Sequence, residues 1–182
     1  MSWGALYFVL VALLVVRVRS SDAPLPEPAH PAPEEPLWLT TGHHALLALV
    51  LLGTPLERAL LGGAVSARAL GACLFAIGVA LYRAAGRALG EALSPFTEPR
   101  PGAPLVTAGL YGVLRHPMYL SQALVALGAP LVLGARWVLV LAVLDVGVLV
   151  LRMTHEDDAL ARTFPEYARY AARTKRVLPY IY

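Results

Sequence analysis

Cysteine is nearly absent from this sequence: Cys73 stands alone among 182 residues. That excludes a disulfide framework, a CxxC metal pattern and redox chemistry through paired thiols. Charge is also scarce, at 15% of residues, where a soluble domain carries about a quarter. No internal repeat of useful length is visible. What is abundant is apolar sequence, 58% of the chain with a mean hydropathy of +0.62, gathered in uncharged runs too long for globular core elements. These features predict an all-α, polytopic helical membrane protein. The formal charge of +3 and pI near 9.2 do not point to nucleic acid, because the basic residues flank apolar runs and do not interleave with aromatics.

Five spans are expected. The first covers residues 3–18; it has no basic region before it and no small-residue cleavage site after it, so it is kept as a helix and not removed as a signal peptide. Ser20 to Pro36 holds six prolines and four acidic residues and reads as an extended, solvated connector. A second span covers 37–53, with a re-entrant segment around Thr54 to Gly63 left open, and a third covers 64–84. Gly86-x-x-x-Gly90 permits close helix approach. A Pro/Gly-rich loop, Ser94 to Gly109, leads to a polar and aromatic segment, with Pro117 suited to the first turn of a new helix. A tight helical hairpin follows over 117–151, leaving the bilayer at Arg152. The last thirty residues read as an amphipathic helix at the membrane, with Tyr180-Ile-Tyr182 as an interfacial anchor. The chain therefore divides into N-terminal helices over 1–104 and a C-terminal core over 105–182.

With the N-terminus outside, the inner side holds Arg17, Arg19, Arg83, Arg87, Arg100, Arg115, Arg152, Arg162, Arg169, Arg173, Lys175 and Arg176. The outer side holds only Arg58, Arg68 and Arg136. This bias puts the segment around Tyr111 to Tyr119 and the C-terminal helix on one cytoplasmic face, where two polar segments can build one site. The Ala/Arg/Leu-rich composition suggests a bacterial genome, and hence the inner membrane.

Arg115-His116-Pro117-x-Tyr119 places a cation, an imidazole and a phenol at the mouth of a membrane helix, either as a binding constellation or as interfacial anchors. Arg152 and Glu156, four residues apart, share a face where the last span exits. Asp145 lies inside that span, where an ionisable group is costly; it is a candidate functional group or the partner of a His or Arg on a neighbouring helix. His43-His44 is no metal site, since adjacent helical residues point about a hundred degrees apart and no carboxylate completes a set. No metal is expected.

Taken in order, Gly109-x-Tyr111, Arg115-His116-Pro117-x-Tyr119, a two-helix hairpin, Arg152-x-x-x-Glu156-Asp157, Phe164-x-x-Tyr167-x-x-Tyr170 and Arg176-x-x-Pro179 resemble the isoprenylcysteine carboxyl methyltransferase family. The wider group includes membrane phospholipid N-methyltransferases. The resemblance covers residues 105–179 and none of the front half. It implies a helical membrane enzyme that binds S-adenosylmethionine in a cytoplasm-facing pocket, releases S-adenosylhomocysteine, and takes a lipophilic acceptor from the bilayer. By the same resemblance, Tyr111, Arg115, His116, Pro117, Tyr119 and Glu156 belong to the cofactor-binding region. Tyr167, Tyr170 and Arg176 form the C-terminal signature that closes over the cofactor. Arg152 with Glu156 is the charged pair near methyl transfer. Two positions depart from the pattern, Ser121 in place of Gly and Glu156-Asp157 in place of a Glu pair.

The chemistry needs donor and acceptor held in line and dry. A carboxylate acceptor would be oriented by Arg152 or Arg176 and needs no base; an amine must lose a proton, to Glu156 or His116. An isoprenoid carboxylate, a phospholipid amine and a small thiol all stay open as acceptors. So do two other readings of the chain, a non-catalytic membrane protein and a nicotinamide-dependent reductase of similar C-terminal architecture.

Overall fold

The computed structural model describes residues 2–15, 36–63 and 67–177. The prolines between Ser20 and Glu35, the positions of Arg17 and Arg19, the first residues of the expected third span and the Pro179–Tyr182 end lie outside them. Every long element is a helix: α1 (Trp3–Val15), α2 (Leu37–Leu61), α3 (Arg68–Leu89), α4 (Pro117–Leu133), α5 (Arg136–Thr163) and α6 (Tyr167–Arg173). Three are long and apolar enough to cross a membrane: α2, α3 with the 3-10 turn that extends it to Ala92, and α5. α1 and α4 are shorter apolar helices.

Three expectations are corrected. Residues 54–61 are the last turns of α2 and not a re-entrant segment, although Pro55 lies inside the helix. Proline lacks the N–H that would bond the carbonyl four residues back, that of Leu51. Here the Tyr7 hydroxyl of α1 donates to the Leu51 carbonyl instead, while Thr54 Oγ1 donates to the Val50 carbonyl at 2.6 Å. The helix therefore continues with its polar groups met. Secondly, α5 does not end at the membrane boundary: it runs unbroken for 28 residues, about 42 Å, against the roughly 30 Å of a hydrocarbon core. Its charged final turns project beyond the apolar stretch as part of the same rod. The chain breaks only at Phe164-Pro165, so α6 is a separate seven-residue helix.

The third correction concerns close packing. A Cβ on Gly90 would meet nothing; with φ +52 this glycine terminates α3. Intimate contact occurs instead between α3 and α4, the most extensively packed pair. A Cβ on Gly71 would lie 2.5 Å from Leu131 Cβ, and one on Gly128 would lie 2.6 Å from the Phe75 backbone nitrogen. Without a hydrophobic drive between helices in lipid, such backbone approach is the principal source of adhesion. The core around it comprises Tyr7, Phe75, Val79, Val125, Val132 and their neighbours, while Trp38, Leu52, Leu60 and Val143 are exposed on the outside, as suits contact with lipid tails.

The α4–α5 hairpin turns at Gly134, whose left-handed φ of 79 lets Gly134 and Ala135 both bond the Pro130 carbonyl. Glu57 near the end of α2 caps α5: its carboxylate accepts from the Trp137 and Val138 amides at 3.1 and 2.9 Å. A carboxylate at a helix N-terminus meets both unpaired amides and the positive end of the dipole. This fixes α5 at one end, and its far end carries the site.

Candidate active site

The site is assembled where the start of α4 and the end of α5 meet the turn at 109–116 and the C-terminal segment. Gly109–Gly112 form a 3-10 turn, and His116 precedes Pro117 at the first position of α4. The C-terminal segment lies beside this turn: Arg115 and His116 amides donate to the Lys175 and Arg176 carbonyls at 2.7 and 2.9 Å, and the Lys175 amide donates to Val113. Leu114 and Lys175 form a parallel bridge.

Asp157 ties these parts together. His116 Nε2 lies 2.7 Å from its Oδ1, the Tyr167 hydroxyl donates to the same oxygen, and Arg176 Nε donates to Oδ2 at 2.8 Å. Arg115 Nε is 3.6 Å away, and its Nη1 donates to the carbonyls of Ala171 and Thr174 at the end of α6. Tyr170 completes the clamp by donating to the Tyr111 carbonyl at 2.7 Å. So Arg115, Tyr167, Tyr170 and Arg176 each place a polar atom on a protein partner. Sequence reasoning noted Asp157 only as a departure from a Glu pair. No spacing in the sequence announces that residues 115, 116, 167 and 176 converge on it.

Burial raises the pKa of Tyr170 to about 12, against the lowering charge of Arg115. Tyr167 is pushed up by burial and by its bond to Asp157, and Tyr111 by burial and the charge of Glu156. All three phenols are therefore neutral hydrogen-bond donors at physiological pH.

Glu156 and Arg152 stand apart from this clamp. His116 Nδ1 faces Glu156 Oε2 across 4.0 Å, and the Glu156 side chain is 29% exposed where His116 is buried. With Nε2 donating to Asp157, a neutral imidazole presents a lone pair at Nδ1 and an imidazolium presents an N–H toward Glu156. Nδ1 and the buried Tyr111 hydroxyl have no hydrogen-bond partner among the described residues. With a neutral ring, His116 Nδ1 and the Glu156 carboxylate are two acceptors facing each other, an arrangement open to a cationic donor group. Arg152 is buried; its Nη2 donates to the Pro95 carbonyl at 3.0 Å and its guanidinium lies 5.9 Å from the Tyr119 ring centre. With the Arg162–Glu98 ion pair at 3.3 Å it holds the 93–108 loop against α5. Tyr119 also packs edge-on to His116, ring centres 5.5 Å apart.

Residues 66–167 match the model of the family described as phospholipid methyltransferase. The chain belongs to that family. Among its relatives is the cobalt-zinc-cadmium resistance protein CzcN of Cupriavidus metallidurans, 41% identical over 78 residues, which are 41% of this chain and 35% of that protein. The nickel-cobalt-cadmium resistance protein NccN of Alcaligenes xylosoxydans xylosoxydans is 36% identical over 85 residues, 44% of this chain and 38% of that one. The matched part of the chain thus spans little more than a third of either relative. The fold is similar to that of the eukaryotic intramembrane Ras methyltransferase, isoprenylcysteine carboxyl methyltransferase, with a TM-score of 0.56 and 18% identity over 82% of this chain and 55% of that one. The family match covers the 109–116 turn, α4, α5 and Tyr167, and stops short of Tyr170 and Arg176.

Proposed function

We propose that this chain is an integral membrane methyltransferase that uses S-adenosylmethionine to methylate a lipophilic acceptor. The observation that carries the reading is the partly exposed Glu156 carboxylate facing the unbonded Nδ1 of His116, a pair that suits the ammonium of an amino-acid moiety. S-adenosylmethionine supplies an electrophilic methyl group on a sulfonium. The chain's part is positional. Glu156 holds the ammonium by a charge-assisted bond. The Asp157 clamp fixes the imidazole, the 109–116 turn and α6 so that this pair is formed before binding. The aromatic ring of Tyr119 and the apolar walls of α4 and α5 keep water from the reaction.

Arg152, already fixed by Pro95 and Tyr119, orients an anionic acceptor. The five-span topology, with α1 and α4 as short spans and the site on the cytoplasmic side of a bacterial inner membrane, belongs to the same proposal. It is supported by the Lys/Arg distribution and by the single end of the bundle at which all the site residues meet.

The names of the two metal-resistance relatives raise the question of a metal. Among the described residues no group of three or more His, Cys, Asp or Glu side chains is arranged to hold one, and none is given a role here. The test is ligand binding: S-adenosylhomocysteine should raise the melting temperature of the detergent-purified protein, and Glu156→Gln should weaken that binding at least tenfold with the unliganded melting temperature kept. Equal stabilisation of both proteins would remove Glu156 from the site. Stabilisation by a nicotinamide nucleotide instead would favour a reductase.

A further inference from the structure

Asp145 of α5 and His43 of α2 meet inside the bundle with Oδ1 2.8 Å from Nδ1, both side chains wholly buried. The methyl-transfer reading uses neither. At that distance every arrangement that is not repulsive has one hydrogen between the two atoms, either ring N–H to carboxylate or acid O–H to ring nitrogen. The contact therefore does not depend on which partner carries the proton. α2 also grips α5 nearer its start: Glu57 accepts from the Trp137 and Val138 amides, and beside it a Cβ on Gly53 would lie 3.2 Å from Val138 Cγ2.

Val138, Asp145 and Arg152 follow at intervals of seven residues, each about 20° short of two full turns, and Glu156 lies four residues further on. All four share one face of a helix that runs unbroken from Arg136 to Thr163. The face that α2 holds at 138 and 145 is thus the face that carries Arg152 and Glu156, about 10 and 16 Å beyond Asp145. Around Asp145 the helix offers Leu141, Ala142, Val146 and Leu149. In lipid such apolar surfaces have no hydrophobic drive that selects one arrangement over another. A turn or slide of α5 that parts Asp145 from His43 leaves both groups buried without each other, which apolar surroundings penalise. In coiled coils a single buried polar residue selects one register among apolar alternatives in the same way.

We propose that His43 and Asp145 are positioning residues for methyl transfer: their bond sets the rotation and height of α5, and so directs Arg152 and Glu156 toward His116 and Tyr119 at the start of α4. This rests on the methyltransferase reading of that end of the bundle. Two turns away from Arg152, the pair itself does not touch the methyl donor.

The test separates position from stability and uses the full chain in detergent. In His43→Leu/Asp145→Leu the polar pair becomes an apolar one, a change that protein interiors tolerate or favour. Its melting temperature should equal or exceed the parent's, while S-adenosylhomocysteine binds at least tenfold more weakly. Spin labels at Leu49→Cys and Leu151→Cys, both exposed positions, in a Cys73→Ala background, read the placement of α5 against α2 in the unliganded protein. The distance distribution should be at least twice as broad with the leucine pair as with the parent pair. Asp145→Asn, whose amide still bonds Nδ1, should keep the parent's affinity and distance; Asp145→Val, of similar shape and without a polar atom, should lose both. Parent-like distance and affinity in a folded apolar variant, or equal losses in Asp145→Asn and Asp145→Val, would overturn the proposal. Because the distance is read without ligand, a parent that binds no S-adenosylhomocysteine counts against the methyltransferase reading, while the distance still decides whether the pair sets α5.

Discussion

Adjacent acidic residues, Glu156 and Asp157, have different work. Asp157 accepts from His116, Tyr167 and Arg176, and Glu156 faces the unbonded side of the same imidazole. Asp157→Asn replaces a carboxylate that serves charged and phenolic donors by an amide, and bonds of that kind contribute about 1.5–3 kcal/mol each. Amide hydrogen exchange over residues 167–176 should accelerate at least tenfold in Asp157→Asn and stay unchanged in Glu156→Gln. Equal protection in both would mean that Asp157 does not hold the clamp. The raised phenols give a pH signature. Tyr170, near 12 in the folded protein against about 10 unfolded, keeps its proton more tightly when folded. Its contribution is complete below pH 10 and is lost as pH rises toward 12. Tyrosinate absorbance followed against pH should show a component near pH 12, later than that of an exposed tyrosine, and Tyr170→Phe should remove it. The sequence reveals the types of these residues and, through the family resemblance, their neighbourhood. It does not reveal Asp157 as the common acceptor, because that depends on α6 folding back, a tertiary fact with no periodic trace.

At the level of elements, hydropathy shows where apolar helices lie, but their ends are decided by contacts between them. Pro55 reads as a breaker in α2, and only the Tyr7 hydroxyl from α1, reaching the carbonyl that Pro55 leaves unpaired, shows why the helix continues to Leu61. Tyr7→Phe should therefore lower stability by about 1–3 kcal/mol, the cost of a buried carbonyl left without its donor, measured as a shift in detergent unfolding. Glycine spacing misleads in the same way. Of the Gly86-x-x-x-Gly90 interval, Gly90 meets nothing, while intimate contacts are made at Gly71, Gly78 and Gly128, seen only once α3 lies on α4. Gly128→Ala should destabilise the protein by about 1–3 kcal/mol, because its new methyl meets backbone that cannot turn aside, while Gly147→Ala in α5, where a Cβ meets nothing and no positive φ is required, should cost nothing measurable. Equal effects would show that α3 and α4 do not pack as described.

For the whole molecule, composition alone predicts a helical membrane protein, and the family match agrees with the resemblance carried by residues 105–179. The front half, outside that resemblance, supplies the Glu57 cap, the Tyr7 bond and the buried His43, and so fixes the helices that carry the site. The acceptor is the part least legible in sequence, since an apolar wall of Ala, Leu and Val encodes a shape and no functional group. The central claim is that this chain moves a methyl group, and transfer of labelled methyl from S-adenosylmethionine tests it most directly. Membranes containing the protein are incubated with the label and separated into protein, phospholipid, small-molecule and volatile fractions, beside membranes containing Glu156→Gln. Label above background in one fraction, reduced at least a hundredfold in the variant, is the predicted result and names the acceptor class. Label in no fraction, from a protein that is folded and inserted, would contradict the account.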